Sequence, residues 1–257
     1  LSVVFTATDN WVTKGGVSEG YKTPRVEQPT AGINGFGGQG RIPLIGTPTL
    51  KPETSSTAEL GAYYANEAGV SASITLFNNE FDDKIATGVP VFNCSFRPSP
   101  NRPGCVDVGQ WPTIDTFGQS INIDQAVTRG AELALTTPLA AHWDLIANYT
   151  YTDSEQKSGA GKSQPLTDSP EHMFNAKLDW LATDALGLYL RGEYRSERYR
   201  GAGLAQDQLG DYKAYSLLHL GARYRVDEQI TLNAAIYNLL DEDFIDYRPY
   251  VSNLTTG

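Results

Sequence analysis

Leu145, Ala147, Tyr149 and Tyr151 fall on one side of the stretch WDLIANYTYTD, and Asn148, Thr150 and Thr152 fall on the other. This period of two is that of a strand with one apolar and one polar face. It recurs in EHMFNAKLDWLA, where Phe174, Ala176, Leu178 and Trp180 alternate with Asn175, Lys177 and Asp179. GLYLRGEYRSERY (187–199), LLHLGARYRV (217–226) and ITLNAAIY (230–237) repeat it. Earlier candidates are 1–8, 11–20, 57–66, 70–85 and 122–136, the first two with weaker alternation. The pattern predicts about ten strands.

The connections alternate in length. Short turns are predicted at 9–10, 66–69, 138–142, 182–187 and 226–229, and long Gly-, Pro- and Ser-rich segments at 21–56, 86–121, 154–170 and 200–213. Short turns at one end of an antiparallel meander and long loops at the other match an all-β, antiparallel transmembrane β-barrel. Lys177, Asp179, Arg191, Glu193, Arg195, Arg223 and Arg225 lie deep inside strands on the polar face. In a large barrel that face lines a wet or plugged lumen and the apolar face meets lipid, with Tyr and Trp at strand ends as an aromatic girdle. Two other architectures share the pattern: a passive porin-like or structural barrel, and a soluble β-sandwich binding module that exposes the polar face to water.

Composition narrows the chemistry. The 257 residues carry 30 acidic and 20 basic side chains, a net charge of −10 that argues against nucleic acid as a partner. No run of apolar residues is long enough for a membrane helix, and LSVVFTATDNW starts as a strand, not as a signal peptide. Three His and two Cys are too few for a transition-metal site, so no metal is expected. Cys94 and Cys105, in FNCSFRPSPNRPGC, are expected to form a disulfide closing a surface loop in an oxidising compartment, with two free thiols as the alternative. QKSGAGKS (156–163) has the look of a phosphate-binding loop, but Gln156 stands where the first glycine is required and amphipathic strands flank it on both sides. His142, His172 and His219 have no coupled nucleophile, and the acidic run 241–246 lacks EF-hand spacing. No enzyme is predicted.

Five stretches, in order along the chain, resemble TonB-dependent outer-membrane receptors: GGVSEGYKTPR (15–25), LKPETSSTAELGAYY (50–64), ASITLFNNEFDDKIA (72–86), INIDQAVTRGAELAL (121–135) and AAIYNLLDEDFIDY (234–247). The second carries the pattern L-x-P-E-x-S-x-x-x-E-x-G, the most specific of them. The wording is similar to the ferric-catecholate and colicin I receptor branch. The resemblance implies a barrel of about 22 strands around an N-terminal plug. Residues 1–257 would then be the C-terminal part of that barrel, with the plug, the TonB-binding segment and the closing strand expected outside it. It further implies capture of a ferric siderophore at the extracellular mouth and import driven by TonB through the plug. Outer-membrane lipid surrounds such a barrel, and bacteriocins are further partners. No cofactor is expected, because iron arrives already coordinated by the siderophore. Cations and aromatics of the long loops suit an anionic ligand. The candidates are Arg41, Arg97, Arg102, Trp111, Lys157, Lys162, Arg198, Tyr199 and Arg200.

Overall fold

In the computed structural model, residues 1–38, 40–158 and 161–244 are described. Two residues of the 156–163 stretch and the last three of the 234–247 signature lie outside them. Ten strands form an antiparallel meander in chain order: β1 (Ser2–Thr8), β2 (Trp11–Lys22), β5 (Glu53–Ala65), β6 (Ser71–Thr87), β8 (Thr116–Ala140), β9 (Trp143–Gln156), β10 (His172–Leu181), β11 (Leu186–Arg195), β12 (Tyr215–Arg225) and β13 (Thr231–Ile236). The strands β3 (Ile33–Gly37), β4 (Ile42–Ile45) and β7 (Val91–Phe92) and one short helix, α1 (Leu204–Leu209), lie within segments expected to be loops. Among the described residues the sheet is open, β1 and β13 being its edges.

Every predicted strand is present, but the bounds move. The predicted strand at 122–136 runs from Thr116 to Ala140, and the one at 57–66 starts at Glu53. At the start of β8 Phe117 and Gly118 are buried side by side, so both faces are covered there and polarity no longer reports the period; the start of β5, ETSS, is polar on both faces. Pro138 falls where the β8–β9 register shifts, a place where its missing N–H breaks no regular ladder. The short turns are closed locally. Asn66 Oδ1 accepts the Val70 N–H at 3.0 Å while Gly69 adopts a φ of 83°, and Asp227 Oδ1 accepts the N–H groups of Gln229 and Ile230, each at 2.8 Å.

The faces separate as the alternation predicts. Leu145, Leu178, Leu190, Leu220 and Ile236 stand directly opposite one another across five strands, a continuous aliphatic row. Leu190, Leu220 and Ile236 are exposed, as a surface facing lipid must be. On the same face, next to the short turns, Trp143 stacks on Trp180 with centroids 5.0 Å apart and Trp11 lies 5.0 Å from Tyr64, forming the girdle. The opposite face pairs its charges: Lys177 with Asp179 at 2.6 Å and Arg191 with Glu193 at 2.7 Å. Burial is concentrated elsewhere. Ile45, Leu50, Phe96, Phe117, Ile123 and Leu166 are buried, and all belong to the long connections or to the strand ends beside them. The one compact core among the described residues is thus a cap at the long-loop end. No helix among them is long and apolar enough to cross a membrane.

Candidate functional site

The cap begins with the hairpin β3–β4. Gly38 and Gly40 take left-handed φ values of 55° and 86° at its turn, and Phe36 pairs with Pro43. Strand β4 then runs parallel to the start of β8, Leu44 opposite Gly118 and Ile45 opposite Gln119. A β-carbon at Gly118 would lie 2.8 Å from the Leu44 side chain, so a larger residue there would push the end of that leucine aside. Side chains complete the joint. Gln28 Nε2 donates to Ser120 Oγ at 3.1 Å, Thr47 Oγ1 to the Ser120 carbonyl at 2.6 Å, and Asn122 exchanges two hydrogen bonds with the Lys51 backbone. The segment 21–56 is therefore fastened to β8.

The segment between β7 and β8 packs beside this hairpin. Cys94 and Cys105 form the expected disulfide. Inside the loop, the Arg102 guanidinium lies over Phe92 at 4.0 Å and Phe96 at 5.3 Å, donates to the Asp115 carbonyl at 2.9 Å and pairs with the Asp115 carboxylate. Trp111 is half-buried with its ring 6.4 Å from Phe36, and Arg97 is exposed, its backbone N–H held by the Pro112 carbonyl at 3.1 Å.

A second cluster joins the segments 154–170 and 196–213. Arg198 pairs with Asp168 at 3.0 Å and lies 5.2 Å from the Tyr212 ring; the Arg200 guanidinium lies 3.9 Å from the same ring and donates to the Gly210 carbonyl at 2.7 Å. Arg198 and Tyr212 also exchange backbone hydrogen bonds. Burial, followed by the nearby carboxylates of Asp211 and Asp207, pushes the Tyr199 hydroxyl above the ordinary tyrosine range, so it stays protonated as a donor.

The structure therefore sorts the predicted residues into two groups. Arg41, Arg97, Arg102 and Trp111 share one cap; Arg198, Tyr199 and Arg200 share the other cluster. Arg102 is engaged inside its loop and Arg198 between two segments, with their guanidinium Nε atoms buried. Lys157 pairs with Glu155, and Lys162 is exposed on a turn that continues β9, where Gln156 and Ser163–Gln164 are hydrogen-bonded across. The sequence reading missed Phe36, an aromatic in a glycine-rich stretch, INGFGG, that carries no strand period. Among the described residues, no group of three His, Cys, Asp or Glu is placed to hold a metal.

The family-signature residues hold the architecture around this cap. Glu53 is buried and accepts from Lys22, Lys84 and the Ile85 N–H. Gly130 is required because a β-carbon would collide with the Tyr151 carbonyl. Asn238, at a φ of 52°, bonds both polar groups of the Glu242 backbone and donates its own N–H to His219 Nδ1 at 3.1 Å.

Residues 1–239 match the family described as TonB dependent receptor-like, beta-barrel. This chain belongs to that family. It is an outer-membrane β-barrel segment. It is similar to the iron-regulated outer membrane virulence protein of Vibrio cholerae serotype O1, 36% identical over 241 residues that cover 93% of this chain and 35% of the relative. The ferric enterobactin receptor of Pseudomonas aeruginosa is 30% identical, with 94% of this chain and 32% of the relative covered. A crystal structure of a mutant of the ferric enterobactin receptor from Pseudomonas aeruginosa in complex with enterobactin superimposes with a TM-score of 0.65 at 29% identity, covering 94% of this chain and 34% of that one. The chain thus spans about a third of the length of these relatives.

Proposed function

We propose that the chain is the C-terminal part of the barrel of a receptor that captures a ferric siderophore at its outer mouth and imports it by TonB-dependent active transport. The observation that carries this reading is family membership along nearly the whole chain, combined with relatives whose names specify iron regulation and ferric enterobactin. The cap adds a physical reason. It is the compactly packed part of the described residues, and it sits where the connections are long. A packed, disulfide-closed surface at the long-loop end gives a ligand a preformed place of capture. In this scheme iron enters as part of the ligand and needs no protein ligands. The lumen-facing charges form the wall against which the plug moves, and energy comes from TonB acting on that plug.

Uptake of a panel of radiolabelled ferric siderophores by the full-length receptor tests the reading, in cells with and without TonB. Uptake of at least one member, abolished without TonB, is the expected result. Transport that continues without TonB, or accumulation of no panel member, would overturn it.

A further inference from the structure

Asn93 is fully buried, and every polar atom of its amide is in use. Nδ2 donates to the carbonyls of Trp111 and Ile114, each at 2.7 Å, and Oδ1 accepts the N–H and the hydroxyl of Ser95, each at 2.9 Å. Ser95 Oγ in turn accepts the Trp111 N–H at 2.8 Å. Both backbone polar groups of Trp111 therefore end on these two side chains. Residue 111 lies in no strand or helix, so this knot, closed beside it by the Cys94–Cys105 disulfide, sets where its ring points.

The ring points at Phe36. The two centroids are 6.4 Å apart with planes inclined at 58°, and Phe36 is 56% exposed on a hairpin whose other strand is joined to β8. An exposed phenyl group on a rigid hairpin, backed by a tryptophan that a buried network holds in place, is preorganised for contact. Arg97 is exposed, and its backbone is tied to Pro112, the residue that follows Trp111.

We propose that Phe36 and Trp111 form a ligand-contacting pad on the cap, and that Asn93 is its positioning residue, acting through Trp111. The inference rests on the siderophore reading above. The pad suits an anionic chelate that presents a flat, unsaturated face: the inclined rings offer offset and edge contacts, and Arg97 meets the negative charge. It does not suit a chelate whose exposed surface is only saturated chain.

The test is direct binding to the full-length receptor of ferric enterobactin, a ferric phenolate and a ferric trihydroxamate. Phe36→Ala removes a side chain that the fold does not bury, so assembly is preserved. It and Trp111→Ala are expected to weaken the unsaturated-faced chelates about three- to tenfold and the trihydroxamate less than twofold. Asn93→Asp removes both amide donors at constant shape. It is expected to cause a similar loss alone and no further loss in a Trp111→Ala background. Unchanged affinities in Phe36→Ala and Trp111→Ala, or equal losses for all three chelates, would overturn the pad. Additive losses in the Asn93→Asp, Trp111→Ala double variant would overturn the positioning role. A wild-type receptor that binds no ferric siderophore at all would instead overturn the underlying reading.

Discussion

Lys84 Nζ lies 3.5 Å from the Glu53 carboxylate, which is only 6% exposed and joins three strands at the long-loop end. The same carboxylate reaches Lys22 Nζ at 3.2 Å and accepts the Ile85 N–H at 3.1 Å. Strand β5 begins at Glu53, so β6 has no backbone partner on that side at Ile85; the side chain supplies the missing acceptor. Burial pushes the Glu53 carboxyl up, but the Ile85 N–H and the two ammonium groups outweigh it and hold the group below its ordinary value of 4.5. A depressed carboxyl stabilises above its unfolded value and loses that contribution as pH falls through the folded one. Hydrogen-exchange protection of residues 50–56 and 83–88 in detergent, relative to the intrinsic amide rate at each pH, is therefore expected to be constant near neutrality and to fall below about pH 4.5. Glu53→Ala is expected to open the same segments at neutral pH, at a cost of about 3 kcal/mol for leaving Lys84 and the N–H unpaired.

The Gly130 position tolerates no side chain, since a β-carbon would meet the Tyr151 carbonyl and lie 2.9 Å from Phe77. Gly130→Ala is expected to interrupt the pairing of β8 with both neighbours and to prevent barrel assembly. Loss of the heat-modifiable folded band of the full-length receptor on a gel checks this; a normal band would refute it.

The disulfide closes the loop that carries Arg97 and Arg102. Its reduction, or Cys94→Ser with Cys105→Ser, is expected to release about 3 kcal/mol of loop constraint. Chymotrypsin cleavage after Phe96 should then appear while the strands stay intact. Unchanged resistance would mean that the Arg102–Asp115 pair and the Asn93 network hold the loop without the covalent link.

Arg198 joins two segments by pairing with Asp168 and lying against Tyr212. Asp168 is largely exposed, which limits the ion pair itself to less than about 1 kcal/mol. The planar contact with tyrosine makes Arg198→Lys a non-conservative change. Both Arg198→Lys and Arg198→Ala are expected to raise hydrogen exchange at 166–169, with the barrel strands unaffected. Equal protection in the lysine variant would assign the tie to charge alone.

The two faces of β11 should respond oppositely to charge. Leu190→Arg places a cation in the aliphatic row and is expected to cost about 2–4 kcal/mol of folding stability in lipid. Tyr189→Arg, its neighbour on the lumen-facing side, is expected to cost much less. Unfolding of the full-length receptor by urea in vesicles distinguishes the two.

Alternation marked the ten strands of the meander and the apolar face of each, because a half-buried strand writes its two environments directly into a period of two, and the lengths of the connections marked the end that carries the long loops. The disulfide was also legible, two cysteines in a proline-rich loop having no other partners at hand. Within the long connections that period is absent, and so was any local sign of the hairpin β3–β4, of its parallel seat on β8 or of Phe36 meeting Trp111. Those depend on contacts between residues as far as 92 apart, such as Gln28 with Ser120. The tertiary structure likewise decided the fate of the candidate cations. Sequence marked arginines in polar loops as available to a ligand, yet Arg102 faces a carboxylate and rings of its own loop, and Arg198 a ring of its own loop and the Asp168 carboxylate of another. The physical reason is the same throughout. A strand's environment is set by its neighbours in the ladder and repeats along it, whereas a loop residue's environment is set by whichever distant segment folds against it.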